Sequence, residues 1–263
     1  MNKKMTITSI QKSKGIRPLV MMTAYDALFA KLFESSADMI LVGDSLNMSF
    51  AGKKDTLSST LEQMIYHTKA VCNGAKNSFV ICDMPFGTYT NKEDALKNSI
   101  KVFQETDADC VKIEGGQDKA QTIKHLVDNG IAVCAHIGLL PQSVRGEGGY
   151  KVKGKTEEER IELIKDAKAV EEAGVFCMVL EGVKADVAKE VAQSVDIPVV
   201  GIGAGVDVDG QVLVFSDMLG LFEEFTPKFV KKYLDGASLV RGAAQSYAKE
   251  VQSRDFPKVE HTY

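Results

Sequence analysis

The chain has 263 residues, which is long for one β-sandwich, short for two full α/β domains and close to the roughly 250 residues of an eight-fold β/α barrel. With 44% hydrophobic residues it can bury a sizeable core, and its net charge of −4, with scattered lysines and arginines, excludes the basic stripe of a nucleic-acid-binding protein. No apolar stretch reaches the ~20 residues of a membrane span or forms a signal-peptide core, so we expect a cytoplasmic protein without a membrane or nucleic acid partner.

Eight apolar runs recur along the chain and predict eight β-strands. Continuous apolar runs of this length are typical of strands that are buried on both faces, as in parallel sheets. The predicted strands span residues 19–24, 39–42, 79–82, 109–113, 131–135, 175–180, 197–202 and 211–215.

Helical patterns fill most of the intervals between these runs. Their predicted starts carry a capping residue, in three cases with Gln or Glu three positions on, as in the capping box. These starts are Asp26, Thr60 with Gln63, Thr90 with Glu93, and Thr156 with Glu159. Gly130 and Gly174 follow helical patterns directly before strands, where a left-handed helix end favours glycine.

The alternation of strand and helix predicts an α/β protein with a single (β/α)8 TIM-barrel domain over residues 1–263. Its active site would lie at the C-terminal ends of the strands. A short N-terminal extension, 1–17, and C-terminal helices at about 227–253 flank the barrel pattern. A doubly wound open sheet has the same alternation, but the early glycine-rich dinucleotide turn is missing.

Two strand-to-helix connections, 45–59 and 141–155, are too long to be simple turns. Loops of this length in compact domains are usually functional lids or disordered, and both would lie on the active face of a barrel. The five cysteines lack CxxC spacing and fall mostly in apolar runs. We expect them to be buried, reduced thiols without a redox or metal role.

Polar residues close five of the apolar runs. They are Asp44, Asp83, Lys112 with Glu114, His136, and Glu181. In a barrel the carboxyl ends of the strands converge on one mouth, so four carboxylates would share a small cavity. Each close pair of acids raises one pKa unless a cation compensates.

Two candidates for this cation are Lys112 and a bound divalent ion. The oxygen-rich set, without Cys or paired His, favours a hard ion such as Mg²⁺ over zinc. Structural roles remain open for each residue taken alone. A strand-end acid could cap the next helix, Lys112 could pair with Glu114, and His136 could be a hydrogen-bonded core histidine.

Eight sequence motifs resemble the ketopantoate hydroxymethyltransferase family over nearly the whole chain. They are TAYD (23–26), VGDS (42–45), DMPF (83–86), VKIEGG (111–116), GGYKVKG (148–154), GIGAG (201–205), DGQVLV (209–214) and PKF (227–229). Together, in this order and spacing, they are highly specific.

The resemblance implies transfer of the methylene group of 5,10-methylenetetrahydrofolate, a co-substrate, to 3-methyl-2-oxobutanoate. The product would be ketopantoate (2-dehydropantoate), for pantothenate and coenzyme A synthesis. It also implies Mg²⁺ as cofactor and a homo-oligomer, typically a decamer, as the assembly.

The resemblance also implies roles for individual residues. Asp44 and Asp83 would bind Mg²⁺, with Glu114 as a third ligand, directly or through water. The residues of the oxo-acid site would be Asp44, Ser45, Asp83 and Lys112. We add His136 to this predicted site. Glu181 would be the general base that removes the C3 proton of the oxo acid.

Other functions stay open at this point. A Mg²⁺-dependent lyase or mutase of the phosphoenolpyruvate mutase/isocitrate lyase-like barrels would also use strand-end acids, although the catalytic cysteine motif of the lyase branch is missing. Lys112 could instead form a Schiff base, which adjacent acids that keep it protonated would disfavour. A barrel retained as a sensor or scaffold would have lost Glu181 or Lys112, and both are present.

Overall fold

A computed structural model describes residues 4–263. Within this range, parallel strands close into an eight-stranded barrel in chain order, with the last strand beside the first. The strands are β1 Leu19–Thr23, β2 Met39–Val42, β3 Phe79–Asp83, β4 Cys110–Glu114, β5 Val133–Gly138, β6 Cys177–Glu181, β7 Val199–Ile202 and β8 Gly210–Leu213. The predicted (β/α)8 fold is confirmed.

The helices lie before, between and after the strands. They are α1 Ile7–Gln11, α2 Ala27–Phe33, α3 Leu46–Ser49, α4 Leu61–Gly74, α5 Lys92–Glu105, α6 Ala120–Asp128, α7 Glu157–Glu172, α8 Ala185–Gln193, α9 Phe215–Met218 and α10 Gly236–Ser253. Short 3-10 helices occur at Pro141–Ser143 and Val259–His261.

The predicted strands match the observed ones apart from their ends. Predicted strands five, six and seven begin two residues early, at Ile131, Val175 and Ile197. These three side chains are buried, because the connection packs against the core before the chain enters the ladder. Phe215, predicted to end the last strand, instead opens α9. An apolar run in the sequence indicates that its residues are buried. Where the strand begins depends on the hydrogen bonds to the neighbouring strand.

The predicted helix starts hold with one correction. Asp26 caps α2, Thr60 forms the full capping box with Gln63, and Thr156 caps α7. At α5 the prediction is wrong by one position, because Asn91 rather than Thr90 accepts the backbone N–H of Asp94. Gly130 and Gly174 have positive φ angles of 82° and 96°, as the left-handed helix ends require.

One apolar cluster that takes residues from all eight strands fills the barrel interior. The Phe79 and Phe176 rings pack edge to face within it, with centroids 5.4 Å apart. Ile10 of α1 is fully buried against the cluster, which contributes about 1.5–3 kcal/mol. Because the interior is a packed core, the chemistry is confined to the carboxyl ends of the strands. All five cysteines are buried and free, as predicted.

The chain divides into two compact units, one that ends at Val214 and one at Phe215–Tyr263. The prediction of one domain over the whole chain therefore stays a prediction. In the second unit, helix was predicted from about residue 227, but α10 begins only at Gly236. The reason is that the backbone N–H groups of Tyr233 and Gly236 donate to the carbonyls of Met218 and Leu219. Among residues 4–263, no helix has both the length and the hydropathy needed to cross a membrane.

Candidate active site

The predicted polar residues meet at the carboxyl ends of β2 to β6. Asp44 follows β2, Asp83 ends β3, Lys112 and Glu114 lie in β4, His136 lies in β5, and Glu181 ends β6. The sheet register sets Asp83 beside Lys112, and Glu114 beside His136. Glu181 is the most accessible acid of this group, since its side chain is 19% exposed and the other side chains are buried.

The Lys112 ammonium lies at the centre of this cluster. Its Nζ is 3.0 Å from Asp83 Oδ1, 2.9 Å from His136 Nδ1 and 3.9 Å from Glu114 Oε1. Burial works against the charged form, but the charges of Asp83, Glu114 and Asp44 outweigh burial and raise the pKa of Lys112. Asp83 is thus a closer partner than Glu114. A lysine held protonated in this way is a poor Schiff-base nucleophile.

His136 lies between Lys112 and Glu181. Burial and Lys112 both oppose its charged form, whereas the neighbouring Glu114 and Glu181 carboxylates favour it. The 2.9 Å contact with Lys112 nevertheless requires one neutral partner, because two cationic donors cannot share a hydrogen bond. Lys112, with three acids around it, is the charged one. Neutral His136 then accepts at Nδ1 and carries its proton on Nε2, which lies 3.3 Å from Glu181 Oε2 without a well-formed hydrogen bond.

Asp44 and Asp83 are the two buried acids of the cluster whose charged forms are not fully compensated by nearby positive charge. Burial, and then the charges of Asp83 and Glu114, raise the pKa of Asp44 well above its usual range. Burial also raises the pKa of Asp83, although Lys112 lowers it. For Glu114, burial is outweighed by His136 and Lys112, which lower its pKa. A further cation would therefore gain most beside Asp44 and Asp83.

The donor set can be tested against a divalent ion. Asp83 Oδ1 and Glu114 Oε1 are buried and lack a well-formed hydrogen bond. Among residues 4–263, however, no group of three or more His, Cys, Asp or Glu side chains is arranged to hold a metal. Mg²⁺ usually takes only one or two carboxylates, with waters and substrate oxygens completing its shell. The two aspartates fit that pattern, and the ligand assignment, including the role of Glu114, stays a prediction.

Two residues that the sequence reasoning missed complete the polar cluster. Gln142 donates from Nε2 to Asp44 Oδ2 at 2.9 Å and from its backbone N–H to Glu114 Oε2 at 3.0 Å. The Tyr89 hydroxyl donates to Gln142 Oε1. Neither residue carries a charge at neutral pH or ends a strand. The pattern that identified the acids, a charged residue at the end of an apolar run, therefore could not identify them.

Ser45, predicted to contact the oxo acid, lies directly after Asp44 and is half-buried. Its hydroxyl is 2.8 Å from the Tyr25 hydroxyl, and either group can be the donor. Tyr25 is fully buried and packs edge to face against Phe50, with ring centroids 5.1 Å apart. Ser45 is thus at the mouth, and its contact with substrate stays a prediction.

The two long loops meet over the mouth, as predicted for its active face. Arg145 of the second loop pairs with Asp55 of the first, with 2.9 Å between Nη2 and Oδ2. The backbone N–H of Lys153 donates to the carbonyl of Gly182 at 2.8 Å, directly after Glu181. The second loop therefore contacts both the first loop and the segment that follows Glu181.

Comparison with known sequences assigns the chain to one family. A sequence model of ketopantoate hydroxymethyltransferase matches residues 4–259. A protein of Sulfurimonas denitrificans named 3-methyl-2-oxobutanoate hydroxymethyltransferase is 79% identical over 263 residues, which is 100% of both chains. A protein of the same name from Aliarcobacter butzleri is 67% identical over 99% of this chain and 97% of its own.

Comparison with solved structures supports the fold but not a particular activity. A 2,3-dimethylmalate lyase of the phosphoenolpyruvate mutase/isocitrate lyase superfamily aligns with a TM-score of 0.61 at 17% identity, over 97% of this chain and 91% of its own. A phosphonopyruvate hydrolase, solved as a complex with oxalate and Mg²⁺, aligns with a TM-score of 0.63 at 14% identity, over 97% and 93%. At these identities the likeness carries no activity.

Proposed function

The chain belongs to the ketopantoate hydroxymethyltransferase family, and we propose that it transfers the one-carbon unit of 5,10-methylenetetrahydrofolate to 3-methyl-2-oxobutanoate. The product, ketopantoate, would enter pantothenate and coenzyme A synthesis. The observation that carries the proposal is one lysine and four acids gathered at the barrel mouth of a chain that is similar, over its whole length, to enzymes named for this oxo acid.

Enolisation of the oxo acid is the step that the cluster is suited to promote. The C3 hydrogen is weakly acidic, and negative charge develops on the C2 oxygen as the proton leaves. The buried Lys112, whose pKa is raised by the acids around it, is pre-organised to stabilise that charge in a site of low dielectric. When held by Asp44 and Asp83, Mg²⁺ would supply further positive charge that stabilises the developing enolate.

Glu181 is the acid of the cluster best placed to move a proton. Glu114 accepts the Gln142 backbone N–H and lies 3.9 Å from the Lys112 ammonium, and Asp83 pairs with Lys112. The Glu181 carboxylate instead lies beside the neutral His136 ring, and its side chain is partly exposed at the barrel mouth. In this proposal the C3 proton passes to a Glu181 oxygen, and the His136 Nε2–H keeps the carboxylate in position. The resulting carbon nucleophile forms a C–C bond to the folate-borne carbon, water supplies the hydroxyl oxygen of the product, and tetrahydrofolate leaves as both C–N bonds to that carbon are broken.

The proposal is tested by the dependence of product formation on each component. Purified protein with 3-methyl-2-oxobutanoate, 5,10-methylenetetrahydrofolate and Mg²⁺ should form ketopantoate, and omission of the folate or addition of EDTA should stop it. A lyase or mutase would turn over its own substrates without folate. Absence of product in the complete mixture would refute the proposed reaction. The homo-oligomer implied by the family, a decamer, stays a prediction that light scattering can check.

A further inference from the structure

Gln142 connects three strand ends of the mouth to the loop that follows β5. It lies in the 3-10 helix Pro141–Ser143 and is only 6% exposed. Its Nε2 donates to Asp44 Oδ2 and to the Met84 carbonyl, both at 2.9 Å, and its backbone N–H donates to Glu114 Oε2 at 3.0 Å. Asp44, Met84 and Glu114 follow or end β2, β3 and β4.

The chemistry of its neighbours fixes the orientation of the Gln142 amide. An ionised Asp44 oxygen and the Met84 carbonyl only accept hydrogen bonds, so the NH₂ group must face them. The reversed amide would set its oxygen against two acceptors. In the observed orientation the buried Tyr89 hydroxyl donates to Oε1. Each polar atom of the Gln142 side chain thus has a partner.

We propose that Gln142 is a positioning residue for the metal site, with Tyr89 acting through it. The Gln142 side chain engages one oxygen of Asp44 and so presents the other oxygen to a divalent ion. Its backbone N–H engages Glu114 separately. The inference rests on the proposed function, because it concerns how this chain holds the metal of that reaction.

The physical reason is the mutual repulsion of the acids. The backbone N–H of Asp44 donates to Asp83 Oδ2, so the two acids are close neighbours. Among residues 4–263, no cationic side chain contacts the Asp44 carboxylate as closely as Lys112 contacts Asp83. Without the amide, the Asp44 carboxylate can rotate away from its neighbours. Loss of a group that orients a metal ligand typically costs about 10–100-fold in metal affinity or activity.

The test uses Gln142→Met, which keeps the side-chain length and the backbone N–H but removes the donor and acceptor of the amide. Mn²⁺ binding to the purified full chain, without substrate, is measured by electron paramagnetic resonance. We expect Mn²⁺ to bind about 10–100-fold more weakly. In turnover assays the Mg²⁺ concentration for half-maximal rate should rise, with kcat largely restored at saturating Mg²⁺. Ser143→Ala, one residue along the same 3-10 helix, is the matched control and should bind Mn²⁺ like the wild type.

Tyr89→Phe tests the same network from its other end and serves if Gln142→Met does not fold. It should weaken Mn²⁺ binding by a smaller factor and add nothing when combined with Gln142→Met, because Tyr89 acts through the amide. Unchanged Mn²⁺ affinity in folded Gln142→Met, or in Tyr89→Phe if the former does not fold, would overturn this inference alone. Failure of the wild type to bind Mn²⁺ would overturn it together with the metal site of the proposed function.

Discussion

Replacing Lys112 by Met removes the buried ammonium while keeping an unbranched side chain of similar length. Nζ is 3.0 Å from Asp83 Oδ1, and both side chains are only 3% exposed. The variant therefore leaves a buried carboxylate without its closest cation. Removal of one partner of a buried ion pair typically costs about 3–5 kcal/mol, because the other charge is left uncompensated. For a chain of this size, ~2–4 °C per kcal/mol converts this loss to a fall in Tm of roughly 6–20 °C.

The loss should depend on pH with a definite sign. Burial already raises the pKa of Asp83, and without Lys112 the carboxyl can take up a proton instead of staying charged. A carboxyl with a raised folded-state pKa binds more protons folded than unfolded, so the stability of the variant falls as the pH rises through that range. The gap between wild type and Lys112→Met should thus be widest at neutral or higher pH and narrow toward acid pH.

Calorimetric melting of the metal-free proteins from pH 5 to 8 measures this gap directly. The control is Lys112→Met combined with Asp83→Asn, which removes both charges and should recover most of the stability but no activity. If Lys112→Met melts like the wild type at pH 8, then Lys112 does not stabilise Asp83 and the electrostatic description of the mouth is wrong. For activity, Lys112→Arg should rescue poorly, because a planar fork does not replace a compact ammonium.

Asp44→Asn and Asp83→Asn should each weaken Mg²⁺ binding in calorimetric titrations, with turnover partly restored by excess Mg²⁺, and unchanged titrations would remove the ligand assignment. Metal-free Asp44→Asn should also melt higher than the wild type above acid pH, since it removes a buried carboxyl whose pKa is raised by burial and by its acidic neighbours. Mg²⁺ affinity should fall with falling pH, beginning above the usual titration range of aspartate, because protons compete for two carboxyls with raised pKa values. A flat affinity between pH 8 and 5 would contradict that competition.

The barrel and its acids were predictable because both leave local signals in the sequence. A strand buried on both faces needs a continuous apolar run, and a polar residue that ends such a run must lie at the mouth. Asp83, Lys112, Glu114, His136 and Glu181 were found in this way, and the structure brings them together.

Features that depend on tertiary contacts were not predictable in this way. The early starts predicted for three strands came from buried residues that pack outside the ladder, such as Val175. Residues 227–235 were predicted as helix, yet the backbone N–H of Tyr233 donates to the Met218 carbonyl in α9. The role of Gln142 depends on partners 98 and 28 positions away, Asp44 and Glu114. No spacing rule within a loop could reveal such contacts.

Exchange of the C3 hydrogen of 3-methyl-2-oxobutanoate in D₂O, followed by proton NMR, tests the central claim that the mouth enolises the oxo acid with Glu181 as the base. Wild-type protein with Mg²⁺ should exchange this hydrogen even without folate, because enolisation precedes attack on the one-carbon unit. Glu181→Gln keeps the shape of the side chain and an acceptor for the His136 Nε2–H but cannot take the proton. It should exchange about 10²–10⁴-fold more slowly, with metal and oxo-acid binding intact. Exchange at the wild-type rate in Glu181→Gln would contradict the account and direct attention to His136, whose Nε2 lies 3.3 Å from Glu181.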